Sequence, residues 1–311
     1  MKQYLHIFRY HHKDTELHLL EQKYVFNQGN HEGRHFFSDQ IHYLEDSCFG
    51  EAVIDIFHFA KEFDDLKDFL VENLPFLENV RLESLTIGFQ PKCNFLDLSK
   101  FFTCLKLKAK LDNPDASYVL TRTEEGWYFG EKVSGSEKLW NIYRNKPETI
   151  SSGFPHSMAR TVLLCLKSQG AKSIIDYCSG SGTFSIEARS LRLETTAIDL
   201  NSTMVEMTKN NLSHYNLAAT VIHTSATDFT QTADGGIVDF PYGYHCTRNI
   251  DEENQIIQNV IKNTQVSCLI HGEDLTEKIK QAGGELFDKV IIPAVNIKRH
   301  LHFIRSHHAT L

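Results

Sequence analysis

From about residue 155 to its end the chain alternates helical and strand-like segments, and no other feature restricts its fold as much. Residues 157–167 read as a helix, and "AKSIIDY" follows as a buried strand ending at Asp176. A glycine loop, a helix ("TFSIEARSL") and a strand ("TTAID") come next. A second helix opens at Thr203, with Glu206 at capping-box spacing. Then come the strands "ATVIHT" and "GGIVD", a helix with Ile256, Ile257, Val260 and Ile261 on one side, and the strand "VSCLIH". A last helix and the strands "LFDKVIIP" and "HLHFIRS" complete the series. This rhythm predicts an α/β fold with a mostly parallel, doubly wound sheet, in which ligands lie at the carboxyl ends of the strands.

The N-terminal region has a different rhythm. Strand-like runs ("QYLHIF", "AVIDIFHF", "LESLTIGF", "SYVLTRT", "WYFGEKV") are interleaved with helical ones ("DDLKDFLVEN", "DLSKFFTCL"), which predicts small α+β units. "LKLKAKL" alternates strictly, as a strand does, yet could also continue the helix before it. A length of 311 residues suits about two domains. A stretch rich in Ser, Gly and Pro, residues 131–155, marks the seam. The expected organisation is a ferredoxin-like α+β unit at 1–62, a second small unit at 63–135, a linker at 136–154 and the doubly wound domain at 155–311.

Composition narrows the function classes. With 41% hydrophobic and 23% charged residues the chain can bury a proper core. No apolar run approaches the ~18 residues of a membrane span. The N-terminus "MKQYLHIFRYHHKD" lacks the apolar core and cleavage site of a secretory signal. Cys48, Cys93, Cys104, Cys165, Cys178, Cys246 and Cys268 are odd in number and scattered, as reduced thiols are. The 17 histidines lack ligand spacing as well, so no metal site is expected. These readings suggest a cytoplasmic enzyme or binding protein, a monomer in preference to an obligate oligomer. The net charge of −8 weighs mildly against a nucleic-acid partner. The acid is localised, however: Glu45 to Glu83 holds eleven acidic residues against three basic, leaving the remainder balanced.

Four strand ends carry candidate chemistry. In "DYCSGSGTFSIEA", Gly180 and Gly182 allow backbone conformations closed to other residues. Thr183 opens a helix whose free N–H groups favour an anion. Asp176 stands at the strand's end, and Ser181 lies between the glycines. The third glycine of a dinucleotide fingerprint is missing, which disfavours a dehydrogenase-like binder. In "AIDLN", Asp199 follows Gly180 at the spacing from which an acid reaches a ribose hydroxyl, with Leu200 beside it. In "TSATDF", Asp228 could accept an adenine amino hydrogen or merely cap a helix. Together they describe a pocket for an adenosine with an amino-acid-like tail, which S-adenosylmethionine fits. The fourth end is "VDFPYGYH".

With that stretch in place, "DYCSGSGT…AIDLNSTMV…ATD…ADGGIVDFPYG" resembles the Rossmann-like class I methyltransferases that modify exocyclic amines. More closely, it is similar to the tRNA guanine-N2 methyltransferases with an N-terminal THUMP domain. That family reads Asp-Pro-Phe-Cys-Gly-Ser-Gly-Thr at the first motif and Asp-Pro-Pro-Tyr-Gly at the catalytic one. Asp176, Gly180, Ser181, Gly182 and Thr183 match the first, while Tyr177, Cys178 and Ser179 depart from it. Asp239, Pro241, Tyr242 and Gly243 match the second, with Phe240 in place of a proline. Pro155, Ala159 and Arg160 match the family's Pro-x-x-x-Ala-Arg helix, and "LDNPDASYVLTRTEEGWYFG" its last THUMP strands. The resemblance spans roughly residues 105–245. It implies that 63–135 is THUMP-like, that S-adenosylmethionine is the cofactor, and that N2-methylguanosine forms at position 10 of tRNA.

The motif's expected work is to grip an amine. The Asp239 carboxylate and the carbonyl of Phe240 would accept its two hydrogens, Pro241 would hold that carbonyl in place, and Tyr242 would stack on the base. The base must first leave its helix. Lys106, Lys108, Lys110, Arg122, Arg144, Lys298 and Arg299 would meet phosphates, with the acidic stretch turned away. The same motif also serves adenine N6 or a glutamine amide. Phe240 and Tyr177 keep open a non-catalytic RNA-binding scaffold with a decayed pocket. A small activator subunit is left open too.

Overall fold

The structure of the protein, a computed structural model, describes residues 2–28, 33–74, 78–87, 101, 103–105, 108, 110, 112–136, 138–150, 153–240, 249–294 and 297–306. The chain divides into two units, residues 1–10 with 31–138, and residues 11–30 with 139–311.

The first unit is built on one six-stranded sheet. Its strands are β1 (Tyr4–Phe8), β2 (His35–Ser38), β3 (Gly50–Ala60), β4 (Val80–Thr86), β5 (Ala116–Arg122) and β6 (Trp127–Ser134), in the order β2-β1-β3-β6-β5-β4. All neighbours are antiparallel except β4 and β5, which run parallel. One group of core side chains joins Leu5, Ile7, Ala52, Ile54 and Val119. Another joins Leu66 and Leu70, on the helix Phe63–Asn73, to Phe101, Leu120 and Phe129. Because one sheet takes strands from both sides of residue 62, the expected division at 62/63 is corrected: 1–62 and 63–135 do not form separate sheets. Lys108 and Lys110 exchange backbone hydrogen bonds with Val80, which resolves "LKLKAKL" towards an extended conformation at those two residues.

The second unit begins, unexpectedly, with α1 (Thr15–Tyr24). This helix buries His18, Glu21 and Gln22 as well as Leu17 and Leu20, so its inner face is largely polar and gives little apolar periodicity. Tyr24 donates to Asp288 (2.7 Å), and Lys23 pairs with the same carboxylate (2.9 Å). The expected linker is also folded. Residues Leu139–Asn145 form 3-10 turns, and Glu148 is hydrogen-bonded through both backbone groups.

Further helices are α2 of the first unit (Phe63–Asn73) and, here, α3 (His156–Ser168), α4 (Thr183–Ser190), α5 (Ser202–His214), α6 (Ile250–Asn263) and α7 (Thr276–Gln281). The strands are β7 (Ser173–Asp176), β8 (Glu194–Asp199), β9 (Thr220–His223), β10 (Ala233–Asp239), β11 (Thr264–His271), β12 (Gly284–Ala294) and β13 (Ile297–Ser306). Their order is β12-β13-β11-β10-β7-β8-β9. From β9 to β11 every pair is parallel, and only β13 runs against its neighbours. The expected doubly wound sheet is therefore present. Ile175, Ile198, Val238 and Leu269 on the strands pack with Ile256, Ile257, Val260 and Ile261 on α6. One cap differs from expectation. Asn201, not Thr203, caps α5 by accepting the Thr203 N–H (2.9 Å), while Glu206 pairs with Lys209 on the exposed face.

Candidate active site

The sheet order reverses between β7 and β10, which places a crevice at their carboxyl ends. Asp176, Asp199 and Asp239 close β7, β8 and β10 respectively. Their convergence is felt at one thiol. Burial first, then the charges of Asp199, Asp176, Asp239 and Glu252, push the Cys178 thiol far above its ordinary range. Glu252, in the first turn of α6, is a fourth carboxylate that sequence reasoning missed.

Each acid is held differently. Asp176 is 1% exposed. It accepts the Ser185 hydroxyl at Oδ2 (2.7 Å), whereas Oδ1 has no hydrogen-bond partner among the described residues. Burial raises its pKa to about 7, against the lowering influence of Ser185; the charge of Asp199 raises it and that of Lys146 lowers it. Asp199 accepts the Gly180 N–H at Oδ2 and the Asn201 N–H at Oδ1, both at 2.9 Å. It thereby fixes the glycine loop and the start of α5, and each oxygen retains a second lone pair. Asp239 is half-buried and pairs with Ile270 on β11.

The loop itself is left-handed at Gly180 (φ 53°) and Gly182 (φ 79°), where a side chain would be strained. Gly182 caps α4 and Thr183 begins it, as expected. The Thr208 hydroxyl donates to the Gly180 carbonyl (2.9 Å), and the fully buried Asn211 donates to the Ser181 and Glu148 carbonyls. Lys146 lies over this loop, 7% exposed, its ammonium donating to the Ser181 carbonyl (3.3 Å), the Ser181 hydroxyl (2.8 Å) and the Thr183 hydroxyl (2.5 Å). Nothing in the stretch "YRNK" distinguishes Lys146 from the exposed Arg144; only its burial in the fold does.

Of the residues that depart from the family pattern, Tyr177 and Phe240 lie in the core. Tyr177 is 1% exposed, with its ring edge-on to Phe229. Phe240 is 2% exposed among Val238, Ile257 and Leu269, edge-on to His271, and its N–H donates to the Ile270 carbonyl (3.1 Å). A proline could not make that bond. Pro241, Tyr242 and Gly243 lie outside the described residues. Leu200 and Asp228 are exposed at the ends of β8 and beyond β9; Asp228 accepts the Thr227 hydroxyl (3.1 Å).

The expected phosphate contacts differ in availability. Lys108, Lys110, Arg144 and Lys298 are exposed, with Lys108 near Glu78 (3.7 Å), and Lys106 lies outside the described residues. Arg122 is half-buried over the Trp127 ring, and Arg299 sits over Phe154. Arg160, from the family-like helix, is buried and ties α3 to α4 through Glu187 (3.0 Å) and Ser190 (2.8 Å). Asp274, His300 and His302 cluster elsewhere. His302 accepts the Leu275 N–H at Nε2 and turns Nδ1 to the Leu269 carbonyl, so its ring is committed to hydrogen bonds.

The profile of a family described as "conserved hypothetical protein 95" matches residues 158–280. No curated protein sequence matches the chain. Among solved structures it is similar to TrmN from Thermus thermophilus (13% identity, TM-score 0.52), over 98% of this chain and 99% of that one. The fold is that of a class I methyltransferase. A predicted N6-adenine-specific DNA methylase from Listeria monocytogenes matches over 98% of this chain and 96% of its own (13% identity, TM-score 0.50). SMU.472, assigned as a methyltransferase and complexed with SAH, matches over 99% of each chain with the same identity and score.

Proposed function

We propose that the chain is an S-adenosylmethionine-dependent methyltransferase that acts on the exocyclic N2 amine of a guanosine, position 10, in tRNA. The observation that carries this reading is the convergence of Asp176, Asp199 and Asp239 around the switch point of a class I methyltransferase sheet. A crevice ringed by carboxylates suits a ligand bearing sulfonium and ammonium charges, and the unpartnered Oδ1 of Asp176 leaves an acceptor for such a group. Asp199 and Leu200 would hold the ribose and adenine, Asp228 the adenine amino group, and Gly180 to Thr183 the amino-acid tail. S-adenosylmethionine supplies a methyl already activated by its sulfonium.

The remaining work falls to the chain. An exocyclic amine is a poor nucleophile because its lone pair is delocalised into the ring. The Asp239 carboxylate and the Phe240 carbonyl accept its two hydrogens, draw the nitrogen towards tetrahedral geometry and free that pair. Phe240, anchored in the core, holds the backbone that presents the carbonyl. Tyr242 stacks on the target base. The first unit acts as a THUMP-like reader of RNA shape, with Lys106, Lys108, Lys110 and Arg144 on phosphates.

A second reading, methylation of adenine N6, is favoured by the likeness to the Listeria protein and uses the same residues. Replacing Asp239 by Ala is expected to abolish methyl incorporation into tRNA while S-adenosylhomocysteine affinity stays within about twofold. Activity equal to that of the wild type would remove Asp239 from the role given to it.

A further inference from the structure

The first unit carries a surface that the proposed catalysis leaves unused. β3 holds a bulge: Ile56 stands opposite Gly130 and His58 opposite Phe129 on β6, so Phe57 is an extra residue with no counterpart. A bulge re-aims the side chains around it. The His58 ring stacks on Phe69 of α2, with centroids 3.5 Å apart and 6° between planes, and Phe57 approaches the same ring at 6.4 Å. His58 and Phe69 are half-buried, whereas Phe57 stays 47% exposed. β1 accompanies β3 only to Asp55, and among the described residues no strand lies beside the outer edge of residues 57–60.

A single exposed aromatic is ordinary. This one is set in acid. Asp65 and Glu72 lie four residues before and three after Phe69, on its side of α2. Both are exposed and form no ion pair among the described residues, whereas Lys67 offsets Asp64 (2.9 Å) and Asp68 (3.5 Å). The stretch Glu45 to Glu83, with eleven acidic residues and three basic, accounts for the whole net charge of −8. Such a surface repels RNA, anionic lipid and a second copy of itself, and it attracts cations through both its carboxylates and its ring faces. We infer that Phe57 and Phe69, with Asp65 and Glu72, form a docking site for a Lys- and Arg-rich segment of a partner protein, which seats an apolar side chain against Phe57. The site stands apart from the choice of tRNA as substrate.

The test is fluorescence polarisation of the labelled peptide Lys-Lys-Phe-Lys-Lys-Leu-Lys with the full chain. Two further peptides serve as comparisons, one with Ser for Phe and Leu, the other with Glu for every Lys. The wild type should bind the first peptide about tenfold more tightly than the Ser version, and the Glu version not at all. Phe57→Ser should weaken the first peptide about tenfold, and so should Asp65→Lys combined with Glu72→Lys. Glu194→Lys combined with Glu277→Lys makes the same change of charge on the second unit and should leave the affinity within about twofold. Equal binding of the Lys and Ser peptides, or an equal loss in the control pair, would mean that diffuse charge alone attracts the peptide, and overturns the site. Displacement of the peptide by a short RNA, or self-association in sedimentation that Phe57→Ser abolishes, overturns the choice of partner. Hydrogen exchange on the wild type needs no variant: the peptide should protect residues 57–73, and protection confined to other segments overturns the inference.

Discussion

Asp176 carries an electrostatic load that can be read out without any ligand. Its ordinary carboxylate value is 3.8, and in the fold burial raises it to about 7. The folded state therefore holds a proton that the unfolded chain releases between these values. The contribution of Asp176 to stability is greatest below about pH 4, falls as pH rises through that window, and reaches its low plateau above about pH 7. Asn at this position is neutral throughout and nearly isosteric. Asp176→Asn should thus gain in melting temperature over the wild type as pH goes from 5 to 8, while weakening S-adenosylhomocysteine binding. A stability gap that does not change with pH would mean that the carboxyl is not held protonated by burial. The sequence placed Asp176 correctly at a strand end. It gave no sign of the charge that acts on it, because Lys146 is remote in sequence and lies next but one to the exposed Arg144.

At the scale of elements, the second unit was legible because its signals are local. Strand lengths, glycine punctuation and the apolar stripe of α6 need no knowledge of the rest of the chain. What failed were features settled by tertiary packing. The buried face of α1 is built from His18, Glu21 and Gln22, so periodicity did not reveal it. The Ser- and Pro-rich segment after residue 135 looks like a linker, yet Asn211 clasps Glu148 and Lys146 reaches the glycine loop. Phe240 is the clearest instance. Taken by itself it looks like damage to the catalytic motif; in the fold it is a core residue joining the end of β10 to β11. Phe240→Ala should lower the free energy of unfolding in urea by about 3–5 kcal/mol. Phe240→Pro, which would restore the family's usual residue, should cost more, since the hydrogen bond to Ile270 goes as well. A Pro variant as stable as the wild type would show that Phe240 is not tied into the core as described.

For the whole molecule, the acid excess and the proposed RNA partner must be reconciled. A chain of net charge −8 binds a polyanion only through a localised basic surface. Lys108 and Lys110 are exposed, and the Lys108–Glu78 pair at 3.7 Å is a surface contact too weak to sequester the charge. Replacing both lysines by Glu should weaken tRNA binding at low salt and make the log–log salt dependence shallower by about 2, without changing S-adenosylhomocysteine affinity. An unaltered slope would place the RNA elsewhere. The account as a whole is tested most directly by nucleoside mass spectrometry of tRNA incubated with the protein and methyl-labelled S-adenosylmethionine. It predicts label in N2-methylguanosine. Label confined to another nucleoside, or none in tRNA that lacks the modification beforehand, would contradict it.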